Sequence, residues 1–566
     1  PANPAPYRSA GNLYRTLGDP VSAVDVLEDG RKRAEGDADA LAAELAAAHN
    51  EAGDVQSQAG RVERAEEHWE RAVDLAEPGT RTLAIALRSL GSSAAYGRDE
   101  PDYERATDFL LRAVAADPDD PTTHHLLGLV HLDSGRMEPA LDELRTAAEL
   151  DPTELTYGDL GRAYRLNREF GESVAALERA VEIAPEFAWG FAELGETYRL
   201  MDENEEAARA LERAIELEPD YAWAWGTLGQ VRSAQGDLDA ALASLETAAS
   251  LDDSQSWILM ELGEVHRRRG ELDEAIPPLR RVLERNPENA WTLGTLGQVY
   301  HAQDRTDEAI ETLERAASLE GGELPWVYAE LGRAHLGRGA VDPAIDSFRK
   351  AIELLPGHED YYDWLWIAYM REGRHADLAE EFERLADEHP GVPRIRSLLG
   401  HLYHDFLLEY DRALEHLEEA VSLGPESPDQ AANLAEAYLT NERFAIAYDL
   451  ASRIIDEHHG GGEHGQELSP SADLSMRFVV IASLILQERT AEARLELGEF
   501  LRHFRAHLEE GFDQTWDYSG TKAFVAGREI DPESRELLLL VVDVLESGEA
   551  GALEKLESFL GITKKG

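Results

Sequence analysis

At 566 residues the chain is too long for one compact core, so it folds as several domains or as an elongated repeat. Its 113 Asp and Glu against 54 Lys and Arg give a formal net charge of −59, which argues against DNA, RNA and anionic lipid as partners, because binding them relies on clustered positive charge. Cys is absent, which excludes disulfides, thiol catalysis and thiolate metal sites.

The chain opens with PANPAPYRSAGNLY, without an initiating Met or a charged-then-apolar leader. It therefore reads as a trimmed boundary, compatible with a larger parent protein. Ala, Leu, Glu and Arg dominate, and no sustained alternation of β-branched residues is present, which predicts an all-α protein. The longest apolar runs, Phe478 to Leu486 and Leu537 to Val542, fall short of the roughly 20 residues a membrane span needs. Lysine occurs only at Lys32, Lys350, Lys522, Lys555, Lys564 and Lys565. An acidic, lysine-poor surface fits the cytoplasm of a halophile, where screening removes self-repulsion; a GC-rich bacterium is the alternative source.

In chain order, Gly11 with Tyr14, Ala23 and Leu27, then Gly53 with Ala65, Trp69 and Ala72, begin a helical pattern. It sharpens at Leu90-Gly91 (Ala106, Leu110, Ala113, Pro118) and Leu127-Gly128 (Ala140, Leu144, Ala147, Pro152). Leu160-Gly161, Leu194-Gly195, Leu228-Gly229, Leu262-Gly263 and Leu296-Gly297 then recur every 34 residues, with Leu331-Gly332 one residue late. Further on, Trp366 takes the glycine position before Phe382 and Pro390. Gly400 with Tyr403, Ala413, Leu417 and Pro425 follows, then Ala435 with Tyr438 and Ala447. Apolar residues at i, i+3, i+4 and i+7 predict two helices per unit, glycine lets them approach closely, and proline stops the second. After Ile455 the register breaks at DEHHGGGEHGQELSP (456–470), and Ser471 to Gln487, Thr490 to Glu510 and Pro532 to Ser547 read as helices.

The spaced pattern of a large residue, Leu-Gly, Tyr, Ala, Leu or Phe, Ala and a closing Pro over 34 positions resembles the tetratricopeptide repeat. About twelve such units fit between residues 8 and 455. The resemblance implies an α-solenoid, a right-handed superhelix of helix-turn-helix units with a helical C-terminal cap, stabilised by neighbour stacking. The expected division is divergent units over 1–120, a regular array over 121–356, divergent units over 357–455, a Gly/His-rich loop over 456–470 and the cap over 471–566. Within the array the signatures alternate: ELGE at Glu193 and Glu261, TLGQ at Thr227 and Thr295, then ELGR at Glu330. Duplication of a two-repeat block accounts for this.

No phosphate-binding loop, His-Glu-x-x-His zinc motif, Gly-x-Ser-x-Gly elbow or cysteine nucleophile occurs. The chain is expected not to be an enzyme, and no cofactor or metal is implied. WDYSG (516–520) reads as a helix-entry turn, and His458, His459 and His464 as a solvated loop without groups to orient the rings.

In this family the second, fifth, ninth and twelfth positions of the first helix line the peptide-binding groove. With each Gly taken as position eight, Trp189, Trp223, Trp257, Trp291 and Trp326 form one row at position two. Arg162, Glu196, Gln230, Glu264, Gln298 and Arg333 stand at position nine, and Arg165, Arg199, Arg267 and His301 at position twelve. The Asn and Lys of the family's carboxylate clamp are missing. Trp225, at position four, belongs to the core. The Trp row has two readings: packing against the preceding second helix, or aromatic shelves for a peptide carrying Arg, Lys or Pro. The resulting expectation is an interaction module for a protein segment, or for another domain of the parent protein. The alternatives are the sensor array of a larger ATPase or protease of signalling or defence, suggested by segments such as GETYRLM at Gly195 to Met201, and a scaffold or self-assembling filament.

Overall fold

A computed structural model describes residues 3–33, 38–319, 323–424, 428–459, 468–510 and 517–562. Among the described residues there are 31 α-helices and no strand, and no helix is long and apolar enough to cross a membrane. The chain divides into two compact units, residues 1–282 and 283–566. The regular helices come in hairpins such as Ala188–Leu200 with Asn204–Leu217 and Ala222–Ala234 with Leu238–Leu251, and the hairpins pack on their neighbours within each unit.

The close approach inside a hairpin has one repeated cause. A Cβ at Gly195 would stand 2.6 Å from Cγ of Leu211, and the same conflict recurs between Gly161 and Leu177, Gly229 and Leu245, Gly263 and Leu279, Gly297 and Leu313, and Gly332 and Phe348. Glycine at position eight therefore opens the notch that the apolar residue sixteen positions later fills, and that residue is fully buried in each pair. The pairing reaches the divergent units, as Gly11 with Leu27, Gly53 with Trp69 and Gly400 with Leu417. Seven residues after each regular Gly the chain turns through a positive φ, at Arg168, Asp202, Gly236, Gly270, Asp304 and Gly339, which reverses its direction between the two helices.

Two repeats of the second unit break these rules. Trp366 fills the notch position itself, so an indole faces Phe382, with ring centroids 6.3 Å apart, where a glycine would let the helices close. In the next repeat the helix Pro393–His401 runs into a π-helical turn, Leu402–Phe406. A π-turn accommodates one extra residue, and the positive φ accordingly falls one position late, at Leu408 (φ 56°).

The C-terminal helices Pro470–Leu486, Thr490–Glu510, Ser519–Gly527, Pro532–Ser547 and Ala550–Phe559 share one apolar core with the last repeats, from Leu414 to Leu556. Pro470–Leu486 is buried on nearly all sides, as expected of a helix without a polar face.

Candidate peptide-binding site

In the first unit the indoles of Trp189 and Trp257 lie across the preceding repeat's first helix, where Gly158 and Gly226 leave no room for a Cβ beneath them. Trp326 sits on Gly294 in the same way in the second unit. The preceding first helix thus supplies a seat for these rings, and Trp257 also packs against the apolar cluster that includes Ala241, Leu245 and Ala248 of the preceding second helix. The residue beneath each of these indoles is position five, which reads Gly158, Ala192, Gly226, Met260 and Gly294 along the array, so the two-repeat alternation extends to the tryptophan seats. Trp223 is half-buried beside Tyr221, with centroids 6.1 Å apart. Trp291 is 52% exposed, set edge-to-face on Trp326 at 5.0 Å. Trp225 is half-buried rather than fully enclosed: its ring packs on apolar neighbours while Nε1 donates to the Pro219 carbonyl at 2.9 Å, an amphipathic placement common for indoles.

Most of the polar column is already engaged. Arg165 donates to the buried carboxylate of Glu193 in the next repeat at 3.0 and 2.8 Å, and His301 pairs with Glu330. Arg199 holds Glu196, and Arg267 holds Glu264, each within one helix. Arg333 reaches Glu330 at 2.9 Å and lies over the ring of Trp364. Gln230 donates to Glu261 at 3.4 Å, whose carboxyl burial pushes above its ordinary range despite that hydrogen bond. Arg162 and Gln298 are half-buried.

A concave feature with convergent polar groups lies in the divergent repeats of the second unit. A cavity of about 360 Å³ is walled by Trp366 and Phe406 and floored by His401, His404, Asp405 and Glu436. A neighbouring space of about 430 Å³ shares Arg394, His401, Asp429 and Asn433 with it. Arg394, Ser397, His401 and His404 are the second, fifth, ninth and twelfth residues of the Gly400 repeat, and Asp429 and Glu436 the second and ninth of the next. The groove positions of the family thus converge here, on side chains that the Trp-row reasoning passed over.

The π-turn aims this set. His404 Nδ1 donates to Asp405 Oδ1 at 2.6 Å, and its Nε2 is buried without a hydrogen-bond partner among the described residues. Burial alone would lower the imidazole's pKa, but the adjacent Asp405 charge and hydrogen bond, with Glu436 and Asp517, push it up. Burial lowers that of His401 and lifts the Glu436 carboxyl to about 7. A segment from the C-terminal region closes on these groups. Thr521 Oγ1 donates to Glu436, Gly520 N to Asp405 at 3.3 Å, and Tyr410 Oη to the Gly520 carbonyl at 2.9 Å. A Cβ at Gly520 would collide with the His404 carbonyl oxygen, so the approach requires glycine.

Of WDYSG, Trp516 lies outside the described residues, and Ser519 opens the helix Ser519–Gly527 with its amide on Asp517, a helix-entry turn as expected. His458 Nδ1 donates to the Ile454 carbonyl at 3.0 Å. His464 and the side chain of His459 lie outside the described residues.

Comparison with known proteins agrees with the repeat geometry. Family models of the tetratricopeptide repeat match residues 99–154, 156–187, 198–260, 254–320 and 295–359, and the chain belongs to the tetratricopeptide-repeat proteins. No curated protein matches the sequence. Among solved structures, the chain is similar to MamA (26% identity over 27% of this chain and 91% of that one, TM-score 0.26). It is also similar to a tetratricopeptide repeat protein from Parabacteroides merdae ATCC 43184 (15%, 44% and 98%, 0.36) and to the APC/C hetero-tetramer Cut9-Hcn1 (16%, 77% and 90%, 0.36). A tetratricopeptide array implies a protein–protein interaction module. The cavity and its C-terminal closure lie beyond the residues the family models match.

Proposed function

We propose that the protein binds an extended, basic segment of a protein partner, or of another domain of its own parent, at the groove positions of the repeats around Gly400 and Ala435. The observation that carries this reading is that the cavity and its neighbouring space are lined by positions two, five, nine and twelve of one repeat and two and nine of the next. Asp405, Asp429 and Asp517 outnumber Arg394 and the His404 imidazole in its wall, with Glu436 adding charge as it ionises, and Arg394 is already held by Asp363 at 2.7 Å. The remaining field favours an Arg or Lys side chain, with Trp366 and Phe406 as aromatic walls for its stem and charge. The exposed face of Trp291 is a further contact surface in the same unit, and Trp223 with the half-buried Arg162 and Gln298 are secondary contacts in the regular array.

The test is an array of immobilised peptides varied in Arg, Lys and Pro content, probed with the full chain at matched salt. Basic peptides are expected to be retained, and Asp429→Asn with Glu436→Gln to weaken them at least tenfold at unchanged helicity. Equal retention by wild type and the double variant would place binding elsewhere.

A further inference from the structure

The C-terminal helices bring together a second cluster that the groove does not use. On Thr490–Glu510, His503 and His507 are four residues apart and so share one face of the helix. Both turn toward Asp473, which is 3% exposed on the adjacent helix Pro470–Leu486. His503 Nδ1 stands 3.0 Å from Asp473 Oδ2, and His507 Nε2 stands 3.6 Å from the same oxygen. The potential ligand atoms of the three residues all lie within 4.8 Å of one another.

We propose that Asp473, His503 and His507 form a binding site for a divalent transition metal of the zinc type. Bonds of about 2.0–2.1 Å from zinc to imidazole nitrogen and carboxylate oxygen set tetrahedral edges of about 3.3 Å. The two distances to Asp473 Oδ2 bracket that edge, so metal entry needs only a small adjustment of the imidazoles. Two nitrogens and one oxygen suit zinc better than magnesium or calcium, which take oxygen ligands. The carboxylate is oriented from behind: Arg477, one turn along the same buried helix, donates Nε to Asp473 Oδ1 at 2.9 Å, the kind of outer contact that fixes a ligating carboxylate. Its guanidinium also places a positive charge near the ion, so the site binds zinc more weakly than a thiolate site. Both imidazoles are half-buried, and three protein ligands leave a fourth position for water or a partner's side chain.

Bound metal would tie the helix Thr490–Glu510 to Pro470–Leu486, and thus the outer part of the C-terminal region to its most buried helix. Because such a site is absent from the unfolded chain, binding stabilises the fold.

The experiment uses the untagged full chain, stripped with chelator and titrated with ZnCl2 by calorimetry, with Co2+ as a visible-absorption probe of geometry. One equivalent is expected, with an intense tetrahedral Co2+ spectrum and a raised melting temperature. His503→Gln with His507→Gln, both at partly exposed positions, should lower affinity at least a hundredfold while keeping the helical signal. His458→Gln with His459→Gln and His464→Gln should leave binding unchanged, which separates the site from the Gly/His-rich loop. Absence of stoichiometric binding by the folded wild type, or equal binding by the His503/His507 double variant, would overturn the assignment.

Discussion

The regular array and the divergent repeats around Gly400 are built from the same hairpin, yet they treat their inner positions in opposite ways. In the array, glycines at positions five and eight receive an indole and an apolar side chain, and the cations at position twelve, with Arg333 at position nine, close onto carboxylates of their own or the next repeat. Most of the space and charge is consumed by the fold. Around Gly400, Trp366 occupies a notch, a π-turn adds a residue, and His401, His404, Asp429 and Glu436 converge on a cavity. Regularity closes the inner surface, and departures from it open a place for chemistry, in keeping with the frequent occurrence of π-turns at functional sites.

Four variants sharpen the contrast. The largest effect belongs to the closed region: Glu193→Ala leaves the Arg165 guanidinium, with 14% of its side chain exposed, without its carboxylate, and is expected to cost about 3 kcal/mol by urea denaturation. A change within experimental error would show that the pair contributes nothing. Next, Gly520→Ala forces a methyl against the His404 carbonyl, an overpacking cost of about 2 kcal/mol. It should appear as faster hydrogen exchange across 517–527, with the regular array protected as in wild type. Faster exchange throughout would mean that the two regions do not respond separately.

Glu436→Gln tests the site's electrostatics. Because burial raises the Glu436 pKa from an ordinary 4.5 to about 7, the folded state holds a proton that the unfolded chain releases. Its stabilising contribution is complete below about 4.5 and is lost as pH rises through about 7. The raised His404 acts in the same direction. Between pH 5.5 and 8 the urea midpoint of wild type should therefore fall relative to that of the glutamine variant. A constant offset would contradict the buried-carboxylate account. The smallest effect is expected from Trp291→Ala, where the indole is 52% exposed: stability should change by less than about 0.5 kcal/mol, while retention of basic peptides falls. Loss of helicity would reassign this ring to packing.

Much of this molecule was legible from spacing. Gly11 with Leu27 and Gly53 with Trp69 follow from the same sixteen-residue glycine-to-apolar interval as the regular repeats, and the structure seats each pair as that interval requires. Even the π-turn had a trace: Ala413 follows Gly400 by thirteen residues where Ala207 follows Gly195 by twelve. Its consequence was not legible, because one inserted residue in a helix resembles loop-length variation until the hydrogen bonds are seen. The tryptophan row was found by period alone, but its division into seated and exposed rings depended on position five, where Gly158, Gly226 and Gly294 read as ordinary small residues until an indole is placed on them.

The sequence by itself determined the repeat, its helical hairpins and the positions that turn inward, because these depend on contacts fewer than about 20 residues apart that recur with a fixed period. Only the tertiary structure decided which inward positions remain open. Asp405 and Gly520 are 115 residues apart, and Asp473 meets His503 and His507 across a helical turn-back that no motif spacing encodes. Such contacts depend on how the last helices bury their shared apolar core, and that packing has no period to read.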